Sequence, residues 1–429
     1  GGQGIYALNI TNPDDFGAST TNADKLSMWE FTDADDVDLG FTYSQPAIVK
    51  LPNGKWAAVF GNGYNNTQSD GQVSVTGNAV VYIVDLLDGS LISKIDTGVG
   101  MSQDPTNTTG APKNRPNGFA TLAPVDIDGD YKIDYIYGGD LFGNLWRIRL
   151  TSNGTTLSTT TTKIFKACAS NTCDTTNAQP ITTRPSVTRH PSGSGVMVFF
   201  GTGKFIESID KVAGNGGLQS FYGIWDKSPN ATSDAALVSR SSLHQQQILV
   251  EDDFEFTTDG VTTSYPLRVT TNSAPDWASK KGWFIDLQSP GVTALTGERQ
   301  VTNSLVRNGR VIFTTLIPTE DPCRAGGESW LMEFNAATGS RLDMSPFDLN
   351  QDGSFTTADY VEVVINGETV RVPVSGRKLE GGAAATPSVT GAEGQREFKY
   401  ISTAGGLEVV KENPGTTDTD RQSWRQLGR

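Results

Sequence analysis

The chain repeats one strand-and-turn pattern along its whole length, and this repeat restricts the possible folds more than any other feature. The pattern is an aromatic or β-branched run followed by an acid or asparagine and then a turn. A unit that recurs this often favours a radial array of similar sheets. Its seven copies begin at Gly4, Val80, Gly143, Ser220, Lys281, Ser329 and Gly405 and read GIYALNITNP, VVYIVDLLDG, GNLWRIRL, SFYGIWDKS, KGWFIDLQS, SWLMEFNAATG and GGLEVVKENPG.

Other strand themes precede these copies in a fixed order. Hydrophobic strands ending in small residues come directly before several of them: WAAVFGNG, YIYGGD, VMVFFGTG, VIFTTLI and FKYISTAGG. Proline-marked strands come earlier still: YSQPAIVK, ATLAPVDI, TTRPSVTR and ATPSVTG. With SLISKIDTG as a fourth type, these themes predict the four-stranded blade of a β-propeller. Glycines that end the second strands are expected to let neighbouring blades approach one another near the axis.

The predicted fold class is all-β, a modified β-propeller with six or seven blades of four strands each. The 47 glycines and 20 prolines fit many short strands separated by turns. We expect one domain over residues 1–429, with insertions near 100–118, 151–181 and 207–280. Because the chain opens inside a repeat, it is expected to be the C-terminal part of a larger protein. The final RQSWRQL segment is expected to supply an outer strand that helps to close the ring.

Net charge and hydropathy exclude two kinds of interaction. The chain has 48 acidic and 34 basic residues, which gives a formal net charge of −14. Binding to nucleic-acid phosphates requires a concentrated cationic face, and the sequence has no basic run, so we expect no nucleic-acid partner. A transmembrane helix requires about 18 consecutive apolar residues, and no stretch approaches that length. No membrane-spanning segment is therefore predicted.

The sequence contains three cysteines. Cys168 and Cys173 lie close together in KACASNTCDTT and favour a disulfide over two free thiols, which fits an exported protein. A zinc site would need further ligands, but His190 and His244 are distant in sequence. Cys323 is left over, and the sequence leaves open whether it is buried or pairs with a residue outside this chain.

Four aspartates at alternating spacing occupy the segment VDIDGDYKIDYIYGGDLFGNLWRIRL, which runs from Val125 to Leu150. Side chains at positions one, three and five of a tight loop converge on one point, the Lys132 carbonyl follows at position seven, and an acid at nine closes the cage. This oxygen set predicts a calcium site in preference to magnesium. A plain acidic turn is the alternative, but so many close carboxylates repel one another unless a positive charge lies between them. The four acids are Asp126, Asp128, Asp130 and Asp134.

Two residues in this first loop depart from a standard calcium loop. Tyr131 stands at position six, where the twelve-residue EF-hand loop has glycine, so we predict a shortened loop rather than a helix-loop-helix unit. The Lys132 carbonyl is the expected ligand, and its ammonium group is expected to face water. This loop should therefore form part of a strand hairpin.

A second segment, DLNQDGSFTTAD, follows the twelve-residue calcium pattern more strictly. Gly353 stands at position six, where a residue without a Cβ turns most easily. Asp359 replaces the usual bidentate glutamate, so a looser site is expected, and Thr357 is the predicted N-cap of a short helical turn. The predicted oxygen donors are Asp348, Asn350, Asp352, the carbonyl of Ser354, and Asp359.

Several separated segments together resemble the C-terminal domain of PilY/PilC-type proteins, which are bacterial type IV pilus biogenesis factors and tip-associated adhesins. The resemblance covers nearly the whole chain. The segments are GGQGIYALNITNP, VDIDGDYKIDYIYGGDLFGNLWRIRL, VFFGTGKFIE, KKGWFIDL, GERQVTNSLVRNGRVIFTTLIP, DPCRAGGESWLMEFNAATG and RQSWRQL.

The resemblance implies a modified β-propeller that is exported to the cell surface, at a pilus tip or the outer membrane. It implies a calcium loop that governs the balance between pilus extension and retraction, and hence twitching motility, with a contribution to surface adhesion and virulence. The implied partners are pilins and minor pilins, the protein's own N-terminal region and a host surface ligand. The implied calcium ligands are Asp126, Asp128, Asp130, Lys132 and Asp134.

The main alternative to this non-enzymatic domain is a quinoprotein dehydrogenase, whose propeller has similar tryptophan-rich repeats and a calcium ion. Such an enzyme holds its quinone cofactor on the axis, commonly against adjacent cysteines. Adjacent cysteines are missing here, and both predicted calcium loops are continuous rather than assembled on the axis. Two histidines also provide little general-base capacity. We therefore predict no catalytic residues and Ca²⁺ as the only cofactor.

A lectin or host-receptor adhesin module is the third hypothesis. Such a module would use exposed aromatic side chains on a propeller face. Trp277 and Trp424 are the better candidates for exposure. The tryptophans in strand-like settings are instead expected in the core: Trp29, Trp56, Trp146, Trp225, Trp283 and Trp330.

Overall fold

Strands make up most of the fold. The computed structural model describes residues 2–16, 20–68, 71–107, 113–170, 174, 177–227, 237–321, 323–324, 326–392 and 396–415. Within these ranges the helical structure is α1 (Thr20–Leu26) and the 3-10 turns Pro13–Asp15, Met101–Gln103, Ser208–Lys211, Arg240–Ser242 and Thr357–Asp359. No helix in the described ranges has the length and apolar composition needed to cross a membrane. The all-β prediction is confirmed.

Six successive sheets, which we number as blades 1 to 6, organise the described strands. Blade 1 contains β1 (Gly4–Leu8) and β2 (Ser27–Thr32). Blade 2 contains, in spatial order, β3 (Ala47–Lys50), β4 (Trp56–Gly61), β5 (Val80–Asp85) and β6 (Leu91–Asp96). Blade 3 contains β7 (Ala123–Val125), β8 (Tyr135–Gly139), β9 (Asn144–Asn153) and β10 (Thr156–Lys166). Blades 2 and 3 are antiparallel four-stranded meanders, as the strand themes predict.

Blades 4 to 6 vary this plan. Blade 4 contains, in spatial order, β11 (Ser186–Arg189), β12 (Val196–Gly201), β13 (Ser220–Asp226), β17 (Gly282–Asp286) and β14 (His244–Gln246). Blade 5 contains β18 (Leu305–Arg307), β19 (Arg310–Thr314), β21 (Gly327–Asn335), β24 (Gly376–Leu379), β16 (Val261–Thr270) and β15 (Ile248–Thr258), with β20 (Ile317–Pro318) paired to β21. Blade 6 contains β25 (Ser388–Ala392), β26 (Arg396–Thr403) and β27 (Gly406–Glu412). The hairpin of β22 (Val361–Ile365) and β23 (Glu368–Val372) forms a separate sheet.

The seven copies of the repeat do not correspond to seven blades. The copy KGWFIDLQS forms β17, which pairs antiparallel with β13, itself the copy SFYGIWDKS. Phe221 lies opposite Ile285, and Gly223 lies opposite Trp283. Both strands are buried along most of their length, so both carry a continuous apolar run, and such a run indicates burial without identifying a partner. The described chain therefore forms six blades, within the predicted range of six or seven.

Apolar clusters join each blade to the next one. One cluster packs blade 1 on blade 2, a second packs blade 2 on blade 3, and a third packs blade 3 on blade 4. Two further clusters join blade 4 to blade 5 and blade 5 to blade 6. Between blades 4 and 5, for example, the rings of Phe221 and Phe313 stack with centroids 3.9 Å apart. Burial of each such ring contributes about 2 kcal/mol, which makes these seams the main source of stability.

Glycine ends the second strand in blades 2, 3 and 4, where each blade meets the segment leading into the next. A Cβ on Gly139 would lie only 2.1 Å from Ile181, and one on Gly201 would lie 2.1 Å from Gln300. Gly61 is crowded in the same way. These contacts confirm that the strand-end glycines allow close approach of neighbouring blades.

A buried charge network joins blades 5 and 6. The Lys399 ammonium group on β26 lies 2.7 Å from Glu333 and 3.3 Å from Glu397, and it also contacts Glu412. Arg310 on β19 contacts Glu333 at 3.0 Å and Glu397 at 2.8 Å. Burial lowers the pKa of Lys399. Because removal of one partner would leave a buried charge without compensation, this network fixes how the two blades meet.

The tryptophans follow the predicted burial with one exception. Trp29, Trp146, Trp225, Trp283 and Trp330 are buried, as expected. Trp56, expected in the core, is 54% exposed because it is the first residue of β4. Trp277, a candidate for exposure, is only partly exposed and packs edge-on against Trp225 at 5.3 Å. Trp424 and the RQSWRQL segment lie outside the described residues.

Candidate metal centre

Loop 1, defined as residues 126–134, joins the first and second strands of blade 3. The backbone N–H of Ile133 donates to the Lys50 carbonyl of blade 2 at 3.0 Å. On the other side, Arg189 of blade 4 donates to the Ile127 carbonyl. Both neighbouring blades therefore hold loop 1 in place.

Three carboxylates converge in loop 1. Asp126, Asp128 and Asp130 each place an oxygen within 4.8 Å of the others, and all three side chains are exposed. Backbone N–H groups of the same loop orient them, so the arrangement follows from local sequence. These bonds run from Gly129 at 2.6 Å and Tyr131 at 2.8 Å to Asp126, from Asp130 at 3.0 Å to Asp128, and from Lys132 at 2.8 Å to Asp130.

Asp134, the acid at position nine, lies half-buried beside this cluster. Its carboxylate accepts the N–H of Ile127 at 2.8 Å. Burial raises its pKa above the ordinary value of 3.8, and the nearby Asp128 and Asp126 carboxylates raise it further. The surroundings of Asp134 therefore disfavour its ionised form relative to water, and a bound cation would offset this effect.

The Lys132 side chain is accessible to water, as expected, but it also forms an ion pair within loop 1. Its ammonium group lies 2.8 Å from Asp130 Oδ2, which lowers the pKa of Asp130 and raises that of Lys132. The reason is the concentration of negative charge in loop 1, which attracts the nearest flexible cation. Because both partners are well exposed, solvent screens this ion pair and a stronger cation could replace it.

Tyr131 adopts the left-handed conformation that the EF-hand pattern assigns to glycine. Its φ is +68°, and the side chain is 79% exposed. A residue with a Cβ pays about 1–2 kcal/mol for this conformation. The N–H of Tyr131 bonds to Asp126 in return, so the loop makes the required turn without glycine at position six.

Loop 2, defined as residues 348–359, repeats the hydrogen-bonding pattern of loop 1. Gly353 takes a φ of +82° at position six, as predicted, and Gln351 takes +59° at position four. Acceptors at positions one, three and five again receive N–H groups from positions six, five and seven. These bonds run from Gly353 to Asp348 at 3.1 Å, from Asp352 to Asn350 at 3.1 Å, and from Ser354 to Asp352 at 2.7 Å.

Asp359 closes loop 2 from a buried position. Its carboxylate accepts N–H groups from Leu349 at 2.8 Å, Asn350 at 3.3 Å and Thr356 at 3.0 Å. Burial raises the pKa of Asp359. The helical turn begins one residue earlier than predicted: the N-cap is Thr356 and not Thr357, because Asp359 completes a capping box with Thr356.

Two cations from blade 6 contact loop 2. The Lys411 ammonium group on β27 lies 2.7 Å from Asp348 Oδ2, and Arg396 on β26 donates to the Gly353 carbonyl at 3.1 Å. The other Asp348 oxygen, Oδ1, is buried and has no hydrogen-bond partner in the described part of the chain. Sequence reasoning missed both cations because no local pattern connects residues so distant along the chain.

Both loops present donor sets made only of oxygen. Carboxylate, amide and carbonyl oxygens suit a hard cation such as calcium, and the unpartnered Asp348 oxygen gives loop 2 a buried acceptor that a cation could satisfy. The histidines lie elsewhere, with His190 stacked on Trp225 at 4.1 Å and His244 beside Ser273. Of the predicted ligands, Asp126, Asp128 and Asp130 converge, Asp134 lies beside them, and the acids of loop 2 form no comparable group of three among the described residues. The metal itself stays a prediction at both loops.

Cysteine chemistry does not contribute to either loop. Cys168 is disulfide-bonded. Its expected partner, Cys173, lies outside the described residues. Cys323 is a free, exposed thiol, so the expectation that it could be buried is wrong.

Comparisons with known proteins agree on one family. Residues 1–260 match the family model described as the PilY1 beta-propeller domain. The chain is 30% identical over 451 residues to the type IV pilus biogenesis factor PilY1 of Pseudomonas aeruginosa, covering 100% of this chain and 35% of that protein. It is 31% identical over 455 residues to a PilY1 homolog of Xylella fastidiosa, covering 100% of this chain and 28% of that protein. The chain thus spans about a third of the length of these curated relatives.

The fold also resembles a solved structure. The crystal structure of the Pseudomonas aeruginosa PilY1 C-terminal domain superposes with a TM-score of 0.73 at 26% sequence identity. The match covers 96% of this chain and 79% of that one. The propeller prediction and the family resemblance are both confirmed.

Proposed function

Because this chain belongs to the PilY1 β-propeller domain family, we propose that it acts in type IV pilus biogenesis as a non-enzymatic, calcium-binding domain. The observation that carries the calcium assignment is the convergence of Asp126, Asp128 and Asp130, whose oxygens lie within 4.8 Å of one another. Three oriented carboxylates at this separation repel one another strongly. A divalent cation with six to eight oxygen ligands would relieve that repulsion.

The residues of loop 1 have distinct roles in this proposal. Asp126, Asp128 and Asp130 supply carboxylate oxygens, Lys132 supplies its backbone carbonyl, and Asp134 closes the site. The Lys132 ammonium group is the internal competitor, since it holds an oxygen of Asp130. Calcium, when bound, supplies two positive charges that a single ammonium group cannot match. The side chains of loop 1 would then be fixed relative to blades 2 and 4.

The proposed consequence is regulation of pilus extension and retraction, and so of twitching motility. Loop 1 is suited to this role because either the Lys132 ammonium group or calcium can neutralise its acids. A partner that binds one of these two states more tightly would shift their populations. Pilin subunits and the protein's own N-terminal region are the proposed partners, at the cell surface or on the pilus. A contribution to surface adhesion is part of the same proposal.

Calorimetric titration with calcium, followed by piliation and twitching assays, tests this function. Asp134→Ala and Asp126→Ala should each abolish calcium binding at loop 1 and impair twitching, while circular dichroism shows a folded propeller. Asp134→Lys should mimic the filled loop and hold it in one state. Asp88→Ala is the matched control, because Asp88 is an exposed turn acid that accepts the Ser90 N–H at 2.9 Å in blade 2.

The outcomes test the metal site at loop 1 and its regulatory role separately. Unchanged calcium stoichiometry and affinity in Asp134→Ala would refute the loop 1 assignment. Loss of calcium binding with normal twitching would retain the metal site and refute its regulatory role. The Asp88→Ala variant should match the wild type in both assays.

A further inference from the structure

A cavity of about 570 Å³ lies at the other end of the blades from loop 1. Leu141 and Phe142, between β8 and β9, line it, whereas loop 1 lies between β7 and β8, at the opposite end of β8. Loops of blades 2 and 4 and the segments that connect successive blades supply the rest of the lining. The volume falls within the range of about 300–1,000 Å³ that is typical of small-molecule sites.

Two buried polar groups in the lining find no hydrogen-bond partner among the residues that the structure describes. Tyr64 is 3% exposed and Gln219 is 2% exposed, yet Tyr64 Oη and Gln219 Oε1 are unpartnered within those residues. Buried polar atoms are nearly always hydrogen-bonded, so each unpartnered atom requires an explanation. A ligand in the cavity would supply both partners.

Tyr64 offers a hydrogen-bond donor to a ligand, and Gln219 offers an acceptor. Burial raises the pKa of Tyr64, and the Asp140 carboxylate raises it further, so the phenol stays protonated and can donate its O–H. The Gln219 amide nitrogen donates to the Gly216 carbonyl. The amide oxygen of Gln219 is thereby left to accept a hydrogen bond. The ligand should therefore carry both an acceptor and a hydroxyl or N–H donor.

Arg299 adds a positive charge that forms no salt bridge in the described part of the chain, although Asp210, which pairs with Lys204, acts on it electrostatically. Its guanidinium group, 1% exposed, donates to the carbonyls of Gly297 at 2.7 Å, Lys204 at 2.9 Å and Asn215. Carbonyl dipoles compensate a buried charge less fully than a carboxylate does. An anionic group in the cavity would complete the compensation.

Two other cations of the lining, unlike Arg299, form salt bridges with carboxylates. Arg115 pairs with Asp104 at 2.9 Å, and Lys204 pairs with Asp210 at 2.8 Å. Lys113 also lines the cavity, and among the described residues no carboxylate pairs with it. Lys113 and Arg299 are thus the two cations available to a ligand carboxylate.

Aromatic rings supply part of the remaining surface, beside aliphatic side chains such as Ile206 and the Glu207 carboxylate, which pairs with Lys204. Phe41, Tyr43 and Phe142 line the cavity, and Tyr43 is 50% exposed with its ring 5.3 Å from that of Tyr64. The C–H faces of a sugar ring pack well on aromatic surfaces, and its hydroxyl groups both donate and accept hydrogen bonds. We infer that this cavity binds a small acidic sugar, with its carboxylate at Lys113 and Arg299 and its hydroxyl groups at Tyr64 and Gln219.

Titration with D-glucuronate, monitored by calorimetry and by ligand-detected NMR, tests the inference. D-glucose, which has the same ring without the carboxylate, should bind about tenfold more weakly. Tyr64→Phe should weaken glucuronate binding about fivefold without lowering the thermal midpoint, since the lost hydroxyl has no partner among the described residues. Tyr6→Phe is the matched control, because Tyr6 is 71% exposed on blade 1.

A second variant tests the charge separately. Lys113→Gln should weaken glucuronate but not glucose, whereas Lys163→Gln, at an exposed position on β10, should change neither. The methyl glycoside of glucuronic acid distinguishes a glycan from a free monosaccharide as the natural ligand. If the glycoside binds, the cavity accepts the terminal sugar of a chain; if it does not bind, the ligand is a free sugar acid. Absence of glucuronate binding to the wild type would overturn the inference. So would Tyr64→Phe and Lys113→Gln variants that bind glucuronate as tightly as the wild type does. None of these readouts depends on calcium or on pilus assembly.

Discussion

Loops 1 and 2 share a backbone pattern but differ in their surroundings. In both, acceptors at positions one, three and five receive N–H groups from within the loop, and position six takes a positive φ. Loop 1 keeps its three converging acids exposed and draws a cation, Lys132, from within itself. Loop 2 buries Asp348 and Asp359 and draws Lys411 and Arg396 from blade 6.

The difference separates ion binding from structural support. Loop 1 can exchange one counter-ion for another without disturbing a neighbouring blade. In loop 2, Asp348 is tied to blade 6 through Lys411, so exchange of that cation also changes the contact between the loop and β27. The same local sequence pattern can therefore give an ion-responsive loop in one place and a structural junction in another.

The largest expected contrast is in the stability of the metal-free protein. Asp348→Ala removes the buried partner of Lys411 and leaves the Gly353 N–H without its acceptor, so we expect it to lower the free energy of unfolding by about 2 kcal/mol. Asp126→Ala, on the exposed loop, should change the unfolding midpoint in chelator only slightly. Chemical denaturation in excess chelator measures both. Equal destabilisation by the two variants would show that loop 2 is not the structural junction described above.

Competition between lysine and metal provides the next contrast. Lys411→Met removes the cation beside Asp348, so calcium affinity at loop 2 should rise about tenfold, or about 1.4 kcal/mol. Lys132→Met at loop 1 should raise affinity only about twofold, because that pair is exposed and screened. Titrations of variants that retain one intact loop measure each value. A larger gain at loop 1 would reverse the comparison.

Acidification should weaken both sites. Burial raises the pKa of Asp134 and of Asp359, so in the metal-free protein each acid favours the folded state when protonated, and this contribution is lost as the pH rises through the raised pKa. Calcium requires the ionised forms, so its affinity should fall as the pH is lowered from about 7 to about 4, toward the raised pKa values of the two acids. Single-loop variants titrated across this range provide the measurement. Asp134→Asn should flatten the profile of loop 1, and an unaltered profile in that variant would contradict the assignment.

The smallest expected effects come from the backbone at position six. Tyr131→Gly should stabilise the metal-free protein by up to about 1 kcal/mol, because glycine takes a φ of +68° without strain. Gly353→Ala should destabilise it by about the same amount, since the residue has a φ of +82° and the new Cβ would lie 2.9 Å from Arg396. Thermal unfolding of both variants measures the contrast. Effects of the same sign would show that the two loops do not share this backbone requirement.

Most of the predictions that the structure confirms depend on local interactions. The order of strand types within a blade and the crowding at Gly139 and Gly201 followed from short motifs. The grouping of the aspartates in loop 1 also followed, because neighbouring backbone N–H groups orient them. The N-cap of loop 2 was misplaced by one residue, to Thr357, since adjacent threonines compete for the same role.

The errors came from contacts between distant segments. The apolar run in β17 could not reveal that its partner is β13 rather than a strand of a new blade. The position of Trp56 at the start of a strand left it outside the core. Lys411 and Arg396 reach loop 2 through the pairing of β26 with β27, and that pairing has no signature near residue 348.

The strand-end glycines of blades 2, 3 and 4 also set a mechanical limit on the cavity. At Gly139 and Gly201 the backbone of one blade lies directly against a side chain leading into the next, so no rotamer change can widen the gap. In blades 5 and 6 the second strands end instead at Thr314 and Thr403. The loops that line the cavity belong mainly to the sector with glycine at these strand ends, so a ligand larger than the cavity would have to displace loops rather than strands.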